Sequence, residues 1–338
     1  MLSEFDLIGL LRERIEAAGI PVNDRVVVAS GDDAAITMPR GATATSVDAI
    51  VDGVHFKRST FPPDAIGHKA LAVALSDLAA MGAQPGEAYV QLGVPDDVSE
   101  AELAGIADGL GAVAYEFGVT VAGGDLVASP VLFCALTVVG HLVGDDSFVA
   151  RSGAQPGDVL LLTGAVGGAA AGLLLLSDEA LASGIPPATV TALRERQLRP
   201  RALTGAGLAL ARTGATAMID VSDGIGQDAA HIASASGVRC VVELGARSVA
   251  AGVEEVALAA GKDPLAIAMG GEDYELLAAV PEERLAEALE AVLRTGSDPA
   301  VAGRVEAGEG VVLRGPTGRE VSGEGFDQIR SRARGGPT

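Results

Sequence analysis

Met218-Ile219-Asp220-Val221-Ser222-Asp223-Gly224 reads as the end of a buried strand that delivers two carboxylates to one place. Met218, Ile219 and Val221 are strand-forming apolar residues, and the glycine that follows Asp223 ends the strand at once. An unpaired carboxylate is costly to take out of water, so acids in such a setting need a cation or hydrogen-bond donors. The sequence has no Lys or Arg between Arg212 and Arg239 to serve. Two readings fit: a metal ion held by Asp220 and Asp223, or a plain helix cap made by Asp220 or Ser222.

Working outward, strand Thr216 to Val221 lies between helical stretches at Pro200 to Arg212 and Gln227 to Ser236, an alternation that places the chain in the α/β class, mixed α+β. The 338 residues exceed one typical core, so two domains of roughly 150 residues are expected. The polar, turn-rich segment Arg151 to Asp158 marks the change of texture. It gives domains at 1–148 and 149–329, and a mobile tail at 330–338.

Charge narrows the function. Lys and Arg total 24 against 45 Asp and Glu, a formal charge of -21, which argues against nucleic acid or an anionic membrane as partner. A phosphate-bearing substrate would need divalent cations to reverse the local sign. Cys134 and Cys240 have no paired spacing, so neither a disulfide framework nor a zinc motif is expected. The N-terminus lacks a basic segment followed by an apolar one, which points to a cytoplasmic protein. The uncharged run Val159 to Ser177 is broken by Gly164, Gly167, Gly168 and Gly172 into a strand, a loop and a helix start, and is not read as a membrane span.

The other acids occur in comparable settings. Strand Val26 to Ala29 runs into Gly31-Asp32-Asp33-Ala34, and strand Ala42 to Val51 carries Ser46, Val47 and Asp48. Helix Asp64 to Met81 places Asp77 within an apolar stripe of Ile66, Ala70, Val73, Ala74, Leu78 and Met81. Ser99 and Glu102 form a capping box for a helix closed by Gly118. Strand Val119 to Ala122 runs into a Gly123-Gly124-Asp125 turn. The Gly164 to Gly168 loop either offers amides to a phosphate or serves close packing, and Gly270-Gly271-Glu272-Asp273-Tyr274-Glu275 precedes strand Leu276 to Val280. A hairpin is expected over Val301 to Arg314. His68, His141 and His231 are read as structural, and Lys57 and Lys69 as phosphate contacts or surface charges.

If Asp33, Asp48, Asp77, Asp125, Asp220 and Asp223 converge, their repulsion is severe: two charges about 4 Å apart cost roughly 4 kcal/mol at an effective dielectric of 20, against a net stability of about 5 to 15 kcal/mol. Bound cations remove the conflict. Oxygen ligands without a Cys or His cluster suit Mg²⁺, and with it metal-assisted phosphoryl transfer.

The ordered series Gly31-Asp32-Asp33-Ala34-Ala35, Ser46-Val47-Asp48, Gly53-Val54-His55-Phe56, Ser76 to Ala83, Gly123-Gly124-Asp125, Arg151-Ser152-Gly153, Ile219 to Gly224, Gly270 to Leu276 and Gly325-Phe326-Asp327 resembles the thiamine-monophosphate kinase family, from about Glu4 to Ile329. The resemblance implies transfer of the γ-phosphoryl of ATP to thiamine monophosphate, the last step of thiamine diphosphate synthesis. It also implies the two-domain architecture of aminoimidazole ribonucleotide synthetase-like proteins, with the N-terminal domain pairing strands across a homodimer.

By matching position, the resemblance gives several Mg²⁺ ions to Asp33, Ser46, Val47, Asp48, Asp77, Asp125, Asp220 and Asp223, with Asp77, Asp220, Asp223 and Arg151 serving catalysis. Gly124, Asp125, Arg151, Ser222 and Asp108 would meet ATP, and His55, Glu272 and Phe326 the thiamine phosphate. Val47 stands where many relatives carry a Thr, so only its carbonyl or a water can act there. The alternatives are a sister ATP-using enzyme of the same superfamily, or a non-catalytic divalent-cation-binding protein. A selenophosphate synthetase usually has a reactive Cys or selenocysteine near its N-terminus, and this chain has no Cys before Cys134.

Overall fold

The computed structural model describes residues 4–19, 23–30, 34–38, 41–144, 146–315 and 320–321. Asp33, Phe326 and the 330–338 segment lie outside the described residues. The chain divides into two compact units, Met1–Leu78 with Ala83–Gly144, and Asp145–Pro337 with Ala79–Gly82.

The first unit runs α1 (Glu4–Ala17), β1 (Val26–Val28), β2 (Ile36–Thr37), β3 (Thr43–Val51), α2 (Pro63–Ala80), β4 (Gln84–Val94), α3 (Glu100–Phe117), β5 (Thr120–Ala128) and β6 (Phe133–His141). Its four-stranded sheet has the order β3-β6-β4-β5, antiparallel except for the parallel β4–β5 pair. β6 alternates strictly between buried and half-exposed residues, so one face of the sheet is covered and the other lies open. The expected capping box is present: Ser99 accepts from the Glu102 N–H, Glu102 accepts from the Ser99 N–H, and Gly118 closes α3 in the left-handed region at φ 65°.

Two expectations need correction here. α2 is buried almost all round rather than along one stripe, because Gly67 and Gly109 let α2 and α3 touch backbone to backbone; a Cβ on Gly67 would meet the Ile106 carbonyl at 1.8 Å. Gly123-Gly124-Asp125 is not a turn but the middle of β5. A Cβ on Gly124 would come within 2.1 Å of the Val90 carbonyl, so the glycine serves a close approach of β5 to β4.

The second unit runs β7 (Val159–Leu162), α4 (Gly168–Ser177), α5 (Pro187–Leu198), α6 (Thr204–Arg212), β8 (Ala217–Asp220), α7 (Ile225–Ser236), β9 (Arg239–Glu243), α8 (Val253–Ala259), α9 (Pro264–Ala268), β10 (Leu276–Val280), α10 (Leu285–Leu293), β11 (Ala300–Glu306), β12 (Gly310–Arg314) and β13 (Glu320–Val321). Its sheet has the order β13-β12-β9-β11-β7-β10-β8. Leu160, Leu162, Leu277 and Ala279 face one core with α7, while Leu161, Leu276, Ala278 and Val280 face another with α6 and α10. Both faces are covered, which is why β7 and β10 read as unbroken apolar runs.

The expected hairpin over Val301 to Arg314 does not form. β9 lies between β11 and β12, antiparallel to the first and parallel to the second. The connecting loop crosses the end of β9, where Arg239 Nε donates to the Glu309 carbonyl at 3.3 Å and Gly308 takes a φ of 127°. Among the described residues no helix is long and apolar enough to cross a membrane.

Candidate active site

In the second unit the site is built from two loops laced together. β8 ends at Asp220, which is 3% exposed, and β10 begins after the Gly270 to Glu275 segment. Val221 donates to the Glu275 carbonyl at 2.7 Å, Tyr274 to the Val221 carbonyl at 2.9 Å, and Glu272 to the Ser222 carbonyl at 2.7 Å. The fit is tight enough to require glycine: a Cβ on Gly271 would lie 2.3 Å from the Ser222 carbonyl, and one on Gly224 would lie 2.2 Å from that of Met269. The lacing brings Asp220, Ser222, Asp223 and Glu272 into one neighbourhood.

The sequence reading missed Asp228, on the first turn of α7. Its carboxylate accepts the Asp223 N–H at 3.2 Å and the Gly224 N–H at 3.0 Å, so it fixes the loop that presents Asp223. Burial, then the charges of Asp220 and Asp223, push Asp228 up to about 8. His231 lies one helical turn further and is exposed, and ligand atoms of Asp223, Asp228 and His231 lie within 4.8 Å of one another. The Asp-x-x-His spacing was visible in the sequence, since residues three apart share a helix face.

The acids after Glu272 have different work. Asp273 accepts the Gly167 N–H at 2.6 Å and the Ala169 N–H at 3.1 Å, capping the N-terminus of α4. The Gly164 to Gly168 loop therefore serves an internal carboxylate and close packing: its Gly167 amide goes to Asp273 and its Val166 amide to the Ser248 carbonyl at 2.9 Å, so neither is available to a phosphate. Burial raises Asp273 to about 7 despite those bonds. Glu275, also raised by burial, accepts from Thr163 Oγ1 at 2.7 Å and lies 3.9 Å from the Arg196 guanidinium. Arg151 is exposed, on a segment running antiparallel beside β8, where Met218 donates to the Ala150 carbonyl at 2.9 Å.

In the first unit, Ser46 and Asp48 project from one side of β3, and the Ser46 hydroxyl donates to Asp77 Oδ2 of α2. Val47 points the other way and is 70% exposed, so its side chain takes no part in that group. His55 Nδ1 accepts the Val51 N–H at 3.1 Å, which ties the ring to the end of β3. Lys69 is neither a surface charge nor an open phosphate contact: it is fully buried, donates to the His55 carbonyl at 3.2 Å and lies 5.4 Å from the Phe61 ring centre.

The register places Gly124 in line with Asp48 across the sheet, through Leu136 and Val90. Asp125 is one residue out of that line, on the open face, with its carboxylate accepting the Leu126 N–H at 3.0 Å. Within one chain the sheet thus separates Asp125 from Ser46, Asp48 and Asp77. Asp108 lies on the exposed side of α3, 3.4 Å from Arg14.

With this geometry in hand, the class follows from family models: AIR synthase related protein, N-terminal domain, matches residues 31–142, and the corresponding C-terminal domain matches residues 155–315. A thiamine-monophosphate kinase of Mycobacterium tuberculosis is 38% identical over 283 residues, covering 82% of this chain and 80% of that protein. The crystal structure of thiamine-monophosphate kinase from Stenotrophomonas maltophilia is 33% identical with a TM-score of 0.80, covering 90% of this chain and 95% of that one. The structure of AaThiL complexed with AMPPCP and TMP is 30% identical with a TM-score of 0.73, over 96% of each chain. The chain belongs to the thiamine-monophosphate kinase family of AIR synthase-related proteins.

Proposed function

We propose that this protein transfers the γ-phosphoryl of ATP to the phosphate of thiamine monophosphate, giving thiamine diphosphate and ADP, with Mg²⁺ held by its acids. The observation that carries the reading is the likeness to AaThiL, a protein that binds AMPPCP and TMP and matches this chain over almost its whole length. The donor set fits a hard divalent cation. Asp220, Asp223 and Asp228 supply oxygens at the end of β8; burial and then the charges of Asp220 and Asp223 raise Asp228, and a bound cation would offset both. Ser46, Asp48 and Asp77 supply a second oxygen group. When bound, Mg²⁺ neutralises phosphate charge and polarises the transferred group.

The chain's own residues position and hold. The acceptor is already a phosphate whose second pKa is about 6, so it needs no general base near neutral pH. By matching position to the family, Ser222 would orient the nucleotide, Arg151 would draw phosphate oxygens, and His55 and Glu272 would each meet the acceptor. Cys134 gives no support to a thiol-dependent sister enzyme, because burial pushes it up to about 12. ATP as co-substrate suits a protein that works in the cytoplasm.

The decisive test is product analysis after incubation with ATP, Mg²⁺ and thiamine monophosphate. Thiamine diphosphate and ADP in equal amounts, lost in EDTA, is the expected outcome; ADP with free phosphate alone would point to a sister enzyme.

The open face of the N-terminal sheet, with Val47, Thr137, Tyr89, Gln91 and Asp125 at its surface, supports pairing of that unit in a homodimer. A second sheet laid on it would carry its own Asp125 toward this chain. Light scattering should then give twice the 33.7 kDa chain mass, and Thr137→Arg should return it to a monomer. A monomeric wild type would remove the dimer from this account.

A further inference from the structure

Gln197, on α5, is 1% exposed, and its Nε2 donates to Glu272 Oε2 at 2.7 Å. Its other polar atom, Oε1, is buried with no hydrogen-bond partner among the described residues. A buried amide placed for structure alone is normally satisfied at both ends, so a half-satisfied one calls for another reason. Glu272 is also unusual: it holds a φ of 68°, a region that residues with side chains seldom occupy, and its N–H is tied to the Ser222 carbonyl. α5 itself is held close against α4, because at Gly172 a Cβ would meet the Leu193 carbonyl at 2.1 Å and Gln197 Cβ at 3.2 Å. Rigid packing on one side and a strained backbone on the other fix one carboxylate in one direction.

We propose that Gln197 is a positioning residue for acceptor recognition, its amide N–H holding the Glu272 carboxylate toward the cationic thiazolium ring of the acceptor. This rests on the reading that Glu272 meets the acceptor. The choice of a neutral donor matters. A Lys or Arg at 197 would orient the same carboxylate but cancel its charge, whereas a Gln amide leaves that charge available to a cation. Gln197 acts through Glu272 and not on the nucleotide or the transferred phosphate, so its effect falls on the acceptor alone.

Steady-state kinetics with both substrates test this. Gln197→Met keeps the volume and removes the donor; it should raise the KM for thiamine monophosphate on the order of tenfold, with kcat and the KM for ATP changed less than about twofold. Gln197→His, whose ring N–H reaches a comparable distance, should recover most of that loss. Gln197→Arg should stay impaired although it keeps a donor. An unchanged acceptor KM in Gln197→Met, or equal losses in both KM values and kcat together with a lower Tm, would overturn the inference. A wild type that makes no thiamine diphosphate would instead overturn the functional reading on which it rests.

Discussion

Asp220→Asn is expected to cut the rate of thiamine diphosphate formation by at least about a hundredfold while raising the melting temperature of the metal-free protein. The two effects share one cause. Asp220 is 3% exposed, and after burial its charge is the next cause that raises Asp228, so at a pH above about 8, where Asp228 too is ionised, the pair of charges works against the fold when no cation is bound. Asn has nearly the same size and keeps one carbonyl oxygen, which relieves repulsion without opening a cavity. The same change removes a charged oxygen from the proposed metal position, where an ion would be worth several kcal/mol of transition-state stabilisation and each 1.36 kcal/mol is about tenfold in rate. Turnover in saturating Mg²⁺ and thermal denaturation in EDTA check the two halves separately. Activity within threefold of wild type would take Asp220 out of the metal set; a lower metal-free melting temperature would mean that donors in the fold stabilise its charge.

What the sequence made legible were features set by local chemistry. The Ser99–Glu102 box, the Gly118 cap and the run of β10 all depend on residues within a few positions of one another, and each forms as expected. Asp220 and Asp223 were readable as a candidate site because two acids at the end of an apolar strand, with no Lys or Arg close in the chain, need a cation or a set of donors wherever the fold puts them.

Features set by distant partners were not legible. Gly123-Gly124 looks like a turn until Val90 is known to lie against it, and β11 and β12 look like a hairpin until β9 is found between them. Lys69 carries the signature of a surface charge, but Phe61 and the His55 carbonyl enclose it. Asp228 could have been found from its spacing to His231. Gln197 could not, because its importance comes from Glu272, far away in sequence and tied to a different loop.

The second large effect is a dependence of stability on pH that Mg²⁺ reverses. Asp228 titrates near 3.8 unfolded and about 8 folded, and Asp273 near 3.8 and about 7. Between those values the folded chain keeps protons that the unfolded chain has released. Their contribution is complete below about pH 4 and is lost progressively as pH rises toward 8. Glu275, raised by burial, acts in the same direction. Glu87, raised by burial, adds to it, while His141, lowered by burial and by Arg25, acts in the opposite direction. The metal-free melting temperature should therefore fall from about pH 6 to about pH 8. A divalent cation binds the ionised carboxylates and stabilises the fold in proportion to that binding, so the increment from Mg²⁺ should be larger at the higher pH. Thermal scans across this range, with EDTA and with Mg²⁺, measure both slopes. Asp228→Asn assigns them: it should flatten the EDTA curve and remove most of the Mg²⁺ increment, whereas Asp273→Asn should flatten the curve and leave the increment in place. An increment from Mg²⁺ that is the same at every pH would separate the ion from these acids.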